Sequence, residues 1–344
     1  MNNSTCSRRS LVKGMAGAAA FAIVGGLGLA GCGDPAAKAD GSAPSDAAFK
    51  IDVLQLTEHP ALDAANKGFV AAVEEAGIGA KINQQNAQND QSACQTIAST
   101  LVNEGCDLIL AIATPAAQAV AGATSDIPIV CTAITDFAAS GLVKDNDAPG
   151  GNVTGTSDMN PVVDQIDLLH QLAPEAKKVG LLYCTAESNS KIQIELAAAE
   201  LKKLGIEGVE YTASSSNEVQ QVVESMMGKV DAIYTPTDNT IASAMTVIAS
   251  IANEHKVPTV CGEVAHVEAG GLASLSINYE ELGRRAGEMA VRILTEGAEP
   301  AAMPIESMGA AECDLVYNGR TAEALGIDVT SLVEDGATDV SAAE

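Results

Sequence analysis

Tryptophan is absent from this chain and aromatic residues make up only 3% of it. Few flat surfaces remain for stacking on a pyranose, which counts against a sugar ligand. Basic residues are also scarce, 19 Lys and Arg against 45 Asp and Glu, for a net charge of −26. Such a chain repels nucleic acid and anionic headgroups, so a nucleic-acid partner is excluded. The four histidines, His59, His170, His255 and His266, are scattered, with neither H-E-x-x-H nor Cys/His spacing for a metal. Cys94, Cys106, Cys131, Cys184, Cys261 and Cys313 form no C-x-x-C, which removes zinc ribbons and dithiol redox motifs. Gly155-Thr156-Ser157-Asp158-Met159 lacks the second glycine of a nucleophile elbow. The expectation is therefore no catalytic residue, no metal and no cofactor. An exported enzyme, with Glu58 and His59 as its one acid–base pair at a strand end, is the least favoured class.

What is present begins with an export signal. Ser7-Arg8-Arg9-Ser10-Leu11-Val12-Lys13 sets a twin-arginine pair before an uncharged, apolar, glycine-rich stretch, Gly14 to Leu29, that ends in Leu29-Ala30-Gly31-Cys32. Gly26-Leu27-Gly28-Leu29-Ala30-Gly31 matches G-x-G-x-x-G, but it follows no strand and would be removed on maturation. Leu-Ala-Gly-Cys resembles a bacterial lipobox, which implies a signal over residues 1–31 and a lipid on Cys32. No other apolar run approaches the ~20 residues that span a bilayer. The expected place is the extracytoplasmic face of a bacterial membrane, reached by twin-arginine or general secretory export and held through the lipid alone. Residues 32–48 are small and polar with two prolines, a flexible tether.

The body repeats one theme. Short β-rich apolar runs, Ile51–Leu56, Leu108–Ile112, Ile127–Cys131, Val179–Tyr183, Ala232–Tyr234 and Val257–Val260, alternate with helical patterns of ten residues or so. Strands apolar throughout and joined by helices mean parallel sheets covered on both faces. The alternation runs twice, about 49–155 and 156–276, with a turn at Pro149-Gly150-Gly151-Asn152 between. Two doubly wound lobes imply a cleft lined by residues that follow each strand.

In the first lobe these are Glu58 and His59, Asn86, Thr114-Pro115-Ala116, and Thr135-Asp136. Thr114 suits a helix N-cap and Pro115 the first helical position, leaving open amides that can hold a carboxylate. In the second they are Ser157-Asp158, Glu187 with Asn189 and Ser190, Asp238-Asn239, and Glu263. Hydroxyls and helix starts thus face carboxylates, a polarity that matches a zwitterion such as a free amino acid. A buried acid needs a cation or hydrogen-bond donors. Asp238 or Asn239 suits the N-cap of a helix from Thr240. Since capping and ligand binding are compatible, Asp238 is also the first candidate for the ligand ammonium, with Glu187 or Glu263 the next. Thr114, the amides from Ala116 and Thr135 are the candidates for its carboxylate.

Thr57-Glu58-His59-Pro60-Ala61-Leu62-Asp63, Ala111-Ile112-Ala113-Thr114-Pro115-Ala116-Ala117-Gln118, Pro149 through Asp158 and Tyr234-Thr235-Pro236-Thr237-Asp238-Asn239 together resemble the substrate-binding lipoproteins of ABC transporters in the tryptophan/tyrosine-type group, from about residue 50 to 330. The resemblance implies an α/β, type I periplasmic-binding-protein fold with a three-crossover hinge. Its lobes would comprise 49–155 plus 277–308 and 156–276 plus 309–335, followed by a disordered acidic tail, 336–344. It also implies a monomer that binds an aromatic or other hydrophobic amino acid and delivers it to a permease and its ATPase. A nucleoside ligand, or a sensor or receptor as partner, stays open. One departure is Cys184, where relatives carry an Asn-rich loop.

Overall fold

A computed structural model describes residues 48–341. The export segment, Cys32 and the tether through residue 47 lie outside the described residues.

The chain runs β1 (Phe49–Gln55), α1 (Pro60–Glu75), β2 (Ala80–Asn86), α2 (Gln91–Glu104), β3 (Leu108–Ile112), α3 (Thr114–Ala123), β4 (Ile129–Ile134) and β5 (Val153–Ser157). It then crosses to α4 (Val162–Leu172), β6 (Lys178–Cys184), α5 (Ser188–Lys203), β7 (Glu207–Ala213), α6 (Ser216–Met226), β8 (Ala232–Thr235), α7 (Asn239–Glu254), β9 (Thr259–Cys261), α8 (Val264–Glu268) and β10 (Ala273–Ser276). It returns as α9 (Tyr279–Glu296) and β11 (Glu306–Ser307), and crosses again to β12 (Asp314–Tyr317), α10 (Gly319–Leu325), α11 (Thr330–Glu334) and β13 (Thr338–Asp339).

Two sheets result, ordered β2-β1-β3-β4-β5-β11 and β7-β6-β8-β9-β10-β12-β13. The first is parallel throughout, and in the second only the β10–β12 pairing is antiparallel. Leu108–Ile112 shows why: every residue of Leu-Ile-Leu-Ala-Ile is buried, so both faces of the strand need cover. Both lobes share the doubly wound order 2-1-3-4-5, whose switch points lie between β1 and β3 and between β6 and β8. Helices starting on either side of those points leave crevices at the strand ends.

Helix α9, though it follows the second lobe in sequence, packs along α1 in the first. Glycines make that approach possible, because a Cβ at Gly283 would collide with the carbonyl of Ala65 and one at Gly68 with that of Glu280. Two of the three crossovers are tied together, Asn160 Oδ1 accepting from the Ile277 amide at 3.0 Å.

Three expectations need correction. Strand β5 hydrogen-bonds to β4 and β11, so Ser157 and Asp158 end a strand of the first sheet, and the crossover follows them. The run expected at Ile127–Cys131 is the strand Ile129–Ile134, which carries a bulge between Cys131 and Ile134. The tail is not disordered through residue 341, because Thr338–Asp339 adds to the edge of β12, with the Gly319 amide donating to Asp339 at 3.0 Å. All six cysteines of the described residues are free thiols.

Candidate ligand-binding site

The carboxyl ends of the two sheets face each other. His59 Nε2 stands 3.0 Å from Asn239 Oδ1, Gln91 Nε2 donates to the Ala186 carbonyl at 2.9 Å, and Asn89 Nδ2 donates to Thr240 Oγ1 at 3.3 Å. Gln193 Nε2 reaches Thr135 Oγ1 at 3.4 Å. Each contact joins one lobe to the other.

On the first lobe the backbone is bent to make the site. Ala113, between β3 and α3, sits at φ 79° and ψ 150°, and Ala133 in the β4 bulge at φ 57°. A side chain in such a conformation costs on the order of 1–3 kcal/mol and persists where the surroundings demand it. Gly155 (φ 151°) lies opposite the bulge, where a Cβ would strike the Cys131 carbonyl. The strain at Ala113 turns the start of α3 into the cleft. No side chain caps that helix, Pro115 occupies its first turn, and Thr114 Oγ1 is buried without a partner among the described residues. Open amides and a positive dipole end there favour an anion.

The second lobe spends its acids internally. Asp238 Oδ1 caps α7 by accepting from the Ile241 amide at 2.9 Å. Its Oδ2 accepts from the Cys184 amide and from Ser190 Oγ, both at 2.7 Å. Glu187 accepts through Oε1 from the Thr240 amide and hydroxyl, both at 2.9 Å, and through Oε2 from the Asn239 amide and Nδ2 at 3.1 and 2.6 Å. Burial first, and the Glu187 charge second, push the Asp238 carboxyl well above its ordinary value in spite of these donors. Hydrogen-bond donors of their own lobe reach both carboxylates, and Asp238 is the N-cap of α7.

Other expected residues divide similarly. Asp136 turns away to accept from the Ala139 amide and Asn146 Nδ2 at 3.0 and 3.2 Å. Asn86 accepts from the Gln88 amide at 2.8 Å, and with exposed Glu58 it lines a polar surface groove beside Gln84 and Gln85. Ser157 Oγ donates to the Thr135 carbonyl at 2.8 Å and so fixes the end of β4. Pro115 and Ala116 are buried at the α3 start, and Asn189 keeps Oδ1 unpartnered while its Nδ2 donates to the Thr237 carbonyl at 3.2 Å.

Asp158 is different. It is 4% exposed, Tyr279 donates its hydroxyl to Oδ2 at 3.0 Å, and Oδ1 has no partner among the described residues. Burial is the main force pushing its carboxyl up to about 7; the hydroxyls of Tyr279 and Thr135 pull down and the charge of Glu263 pushes up. Glu263, 3% exposed, stands on the other lobe. Burial acts upward on it too, but His266, with His59 behind, holds it below its usual range. His266 Nε2 lies 3.2 Å from Glu263 Oε1, close enough to pair in charge and out of line for a hydrogen bond.

Residues inside helices escaped the strand-end reading. Gln193, fully buried on α5, donates to Thr237 Oγ1 at 2.6 Å and accepts from the Thr237 amide at 3.2 Å. Its signal was a carboxamide on the same helical stripe as Ile194, Ala197 and Leu201. Tyr279 and His266 carried none.

The family described as ABC transporter substrate binding protein matches residues 50–341. A tyrosine-binding protein of Clostridioides difficile (strain R20291) is 43% identical over 320 residues, covering 90% of this chain and 92% of its own. An ABC domain from Streptococcus pneumoniae, crystallised in complex with L-Trp, is 41% identical with a TM-score of 0.81, covering 84% of this chain and 99% of its own. A substrate-binding protein with adhesive properties from Clostridium difficile, solved ligand-free and open, is 44% identical over 85% of this chain and 99% of its own, yet its TM-score is 0.65. Identity is nearly equal in the last two, so the lobes here stand nearer the arrangement of the L-Trp complex than the open one. Two doubly wound lobes, a three-crossover hinge and a family match along the whole body place the chain in the ABC transporter substrate-binding protein family, with a type I periplasmic-binding-protein fold.

Proposed function

We propose that this chain is the extracytoplasmic binding component of an ABC importer, anchored by a lipid on Cys32, and that it carries an aromatic L-amino acid as a zwitterion between its lobes. The observation that carries the reading is a pair of buried, unpartnered atoms of opposite chemical sense, Thr114 Oγ1 and Asp158 Oδ1. The ligand carboxylate is assigned to Thr114 and the first-turn amides of α3, and its ammonium to Asp158. Strands β3 and β5 flank β4, so their ends stand about 10 Å apart. The backbone of an amino acid with a hydrogen bond of about 2.9 Å at each end is of that length. The named ligands of two relatives, tyrosine and L-Trp, support an aromatic side chain.

Ligand contacts from both lobes favour the closed form, which a permease and its ATPase would then recognise. The test is a thermal-shift screen against the amino acids, nucleosides and sugars. Ligand at 100 times its dissociation constant adds ~2.7 kcal/mol of stability. Tyrosine or tryptophan should raise the midpoint; a nucleoside that does so while every amino acid fails would sink the zwitterion reading. The anchor is tested separately by Cys32→Ala, which should leave the membrane fraction or remain unprocessed.

A further inference from the structure

Asp158 and Tyr279 both belong to the hinge. Asp158 opens the first crossover and Tyr279 closes the second, and the Asn160–Ile277 bond holds those crossovers together. Their 3.0 Å contact therefore belongs to the hinge itself. Glu263 belongs to the second lobe, between β9 and α8, and stands beside the same tyrosine hydroxyl. The two acids thus come from the two lobes, Asp158 at the end of the first-sheet strand β5 and Glu263 between β9 and α8 of the second. One hydroxyl has one proton, which Asp158 Oδ2 takes, and Asp158 Oδ1 and Glu263 Oε1 are left without hydrogen bonds.

The positive charge near the pair comes from histidines on the Glu263 side, His266 at 3.2 Å and His59 behind it. His59 from the loop before α1, and His266 and Glu268 from α8, face Glu263, while Thr135 and Tyr279 face Asp158. Among the described residues no lysine or arginine pairs with either carboxylate. Two like charges brought together out of water repel strongly, and one cation between them reverses the sign.

We propose that Asp158 and Glu263, set on either side of the Tyr279 hydroxyl, are an opposed carboxylate pair that resists lobe closure until a cation enters between them, and so restricts the cleft to ligands bearing an ammonium. The ammonium role rests on the amino-acid reading above; the resistance to closure does not. A proton can replace the cation. Burial pushes the Asp158 carboxyl up to about 7 in this arrangement of the lobes, so acid should neutralise the pair and favour closure of the empty protein. From pH 8 to pH 5.5 the closed-to-open ratio should rise.

The experiment has two arms on the purified full chain. In the first, small-angle scattering without ligand should show compaction from pH 8 to pH 5.5. Glu263→Gln should be more compact than wild type at pH 8, and Asp158→Asn should lose the pH response. Identical wild-type profiles at the two pH values, or a Glu263→Gln profile as open as wild type, overturn the proposal whatever the ligand. In the second arm, calorimetry compares L-tyrosine with its des-amino analogue. Wild type should prefer the amine by more than about a hundredfold, and Glu263→Gln and Tyr279→Phe should each reduce that preference about tenfold, with tyrosine affinity falling in acid as the proton competes for Asp158. Unchanged preference in both variants overturns the specificity role. If no amino acid binds while the first arm holds, the ligand assignment fails and the closure pair stands.

Discussion

His59 Nε2 and Asn239 Oδ1 lie 3.0 Å apart although 180 residues separate them in sequence, and they join the loop before α1 to the start of α7 across the cleft. Asn239 is itself held by Glu187 through both its amide and its Nδ2, so the contact is registered against a rigid helix cap. A hydrogen bond of this kind is worth about 0.5–1.5 kcal/mol net.

His59→Ala should therefore speed ligand dissociation about three- to tenfold with little change in association, because the lost contact exists only in the closed form. Stopped-flow release of a bound amino acid measures it. An unchanged off-rate would mean the contact contributes nothing to closure.

Asp238 tests a different kind of role. Asp238→Ala removes the cap of α7, worth about 1 kcal/mol, and strands the buried donors of Cys184 and Ser190, at about 1–3 kcal/mol each. Denaturant unfolding should show a loss of 3 kcal/mol or more, whereas Asp126→Ala on the exposed surface should stay within about 0.5 kcal/mol. A variant at position 238 as stable as wild type would remove the capping account.

These two residues show where the sequence could be read and where it could not. Fully apolar strands and the helices between them announce doubly wound lobes, and the loops that follow strands announce the cleft. What an acid in such a loop does depends on its donors, and those of Asp238 come from Cys184 and Ser190, 54 and 48 residues away. Local sequence shows the cap, but it carries no trace of those further donors. Asp158 was assigned to the wrong lobe because the bulge in β4 and the unusual φ of Gly155 extend the first sheet by a strand whose composition, Val-Thr-Gly-Thr-Ser, is barely apolar. Strand β7 is likewise a solvent-facing edge with a mixed pattern. Gln193 lies inside a helix and Tyr279 at the first position of α9, and only the fold reveals that they reach the cleft.

Ala113 offers a stability test with a functional readout. Glycine at this position relieves a conformation costing on the order of 1–3 kcal/mol, against about 0.5–1 kcal/mol of added backbone entropy. Ala113→Gly should therefore raise unfolding stability by about 1 kcal/mol, seen as a higher thermal midpoint. Its ligand affinity should fall, since the start of α3 is no longer fixed. A lower midpoint would show that Ala113 is not strained.

The last prediction sets one substitution against itself. Gly283 packs on α1 so closely that a methyl group would meet the Ala65 carbonyl, and Gly287 approaches Phe69 from the same side. A backbone carbonyl cannot step aside as a side-chain end can, so Gly283→Ala must move α9 off α1. Overpacking of this kind costs typically 1–3 kcal/mol. Gly122, near the end of α3, has nothing within 4 Å of the place its Cβ would take and shows no unusual φ. There, alanine only reduces the freedom of the unfolded chain and improves helix propensity, a gain of about 0.5–1 kcal/mol. Urea unfolding should thus move in opposite directions for Gly283→Ala and Gly122→Ala. Equal shifts of the same sign would mean that the glycines of the α1–α9 seam are not there for close approach.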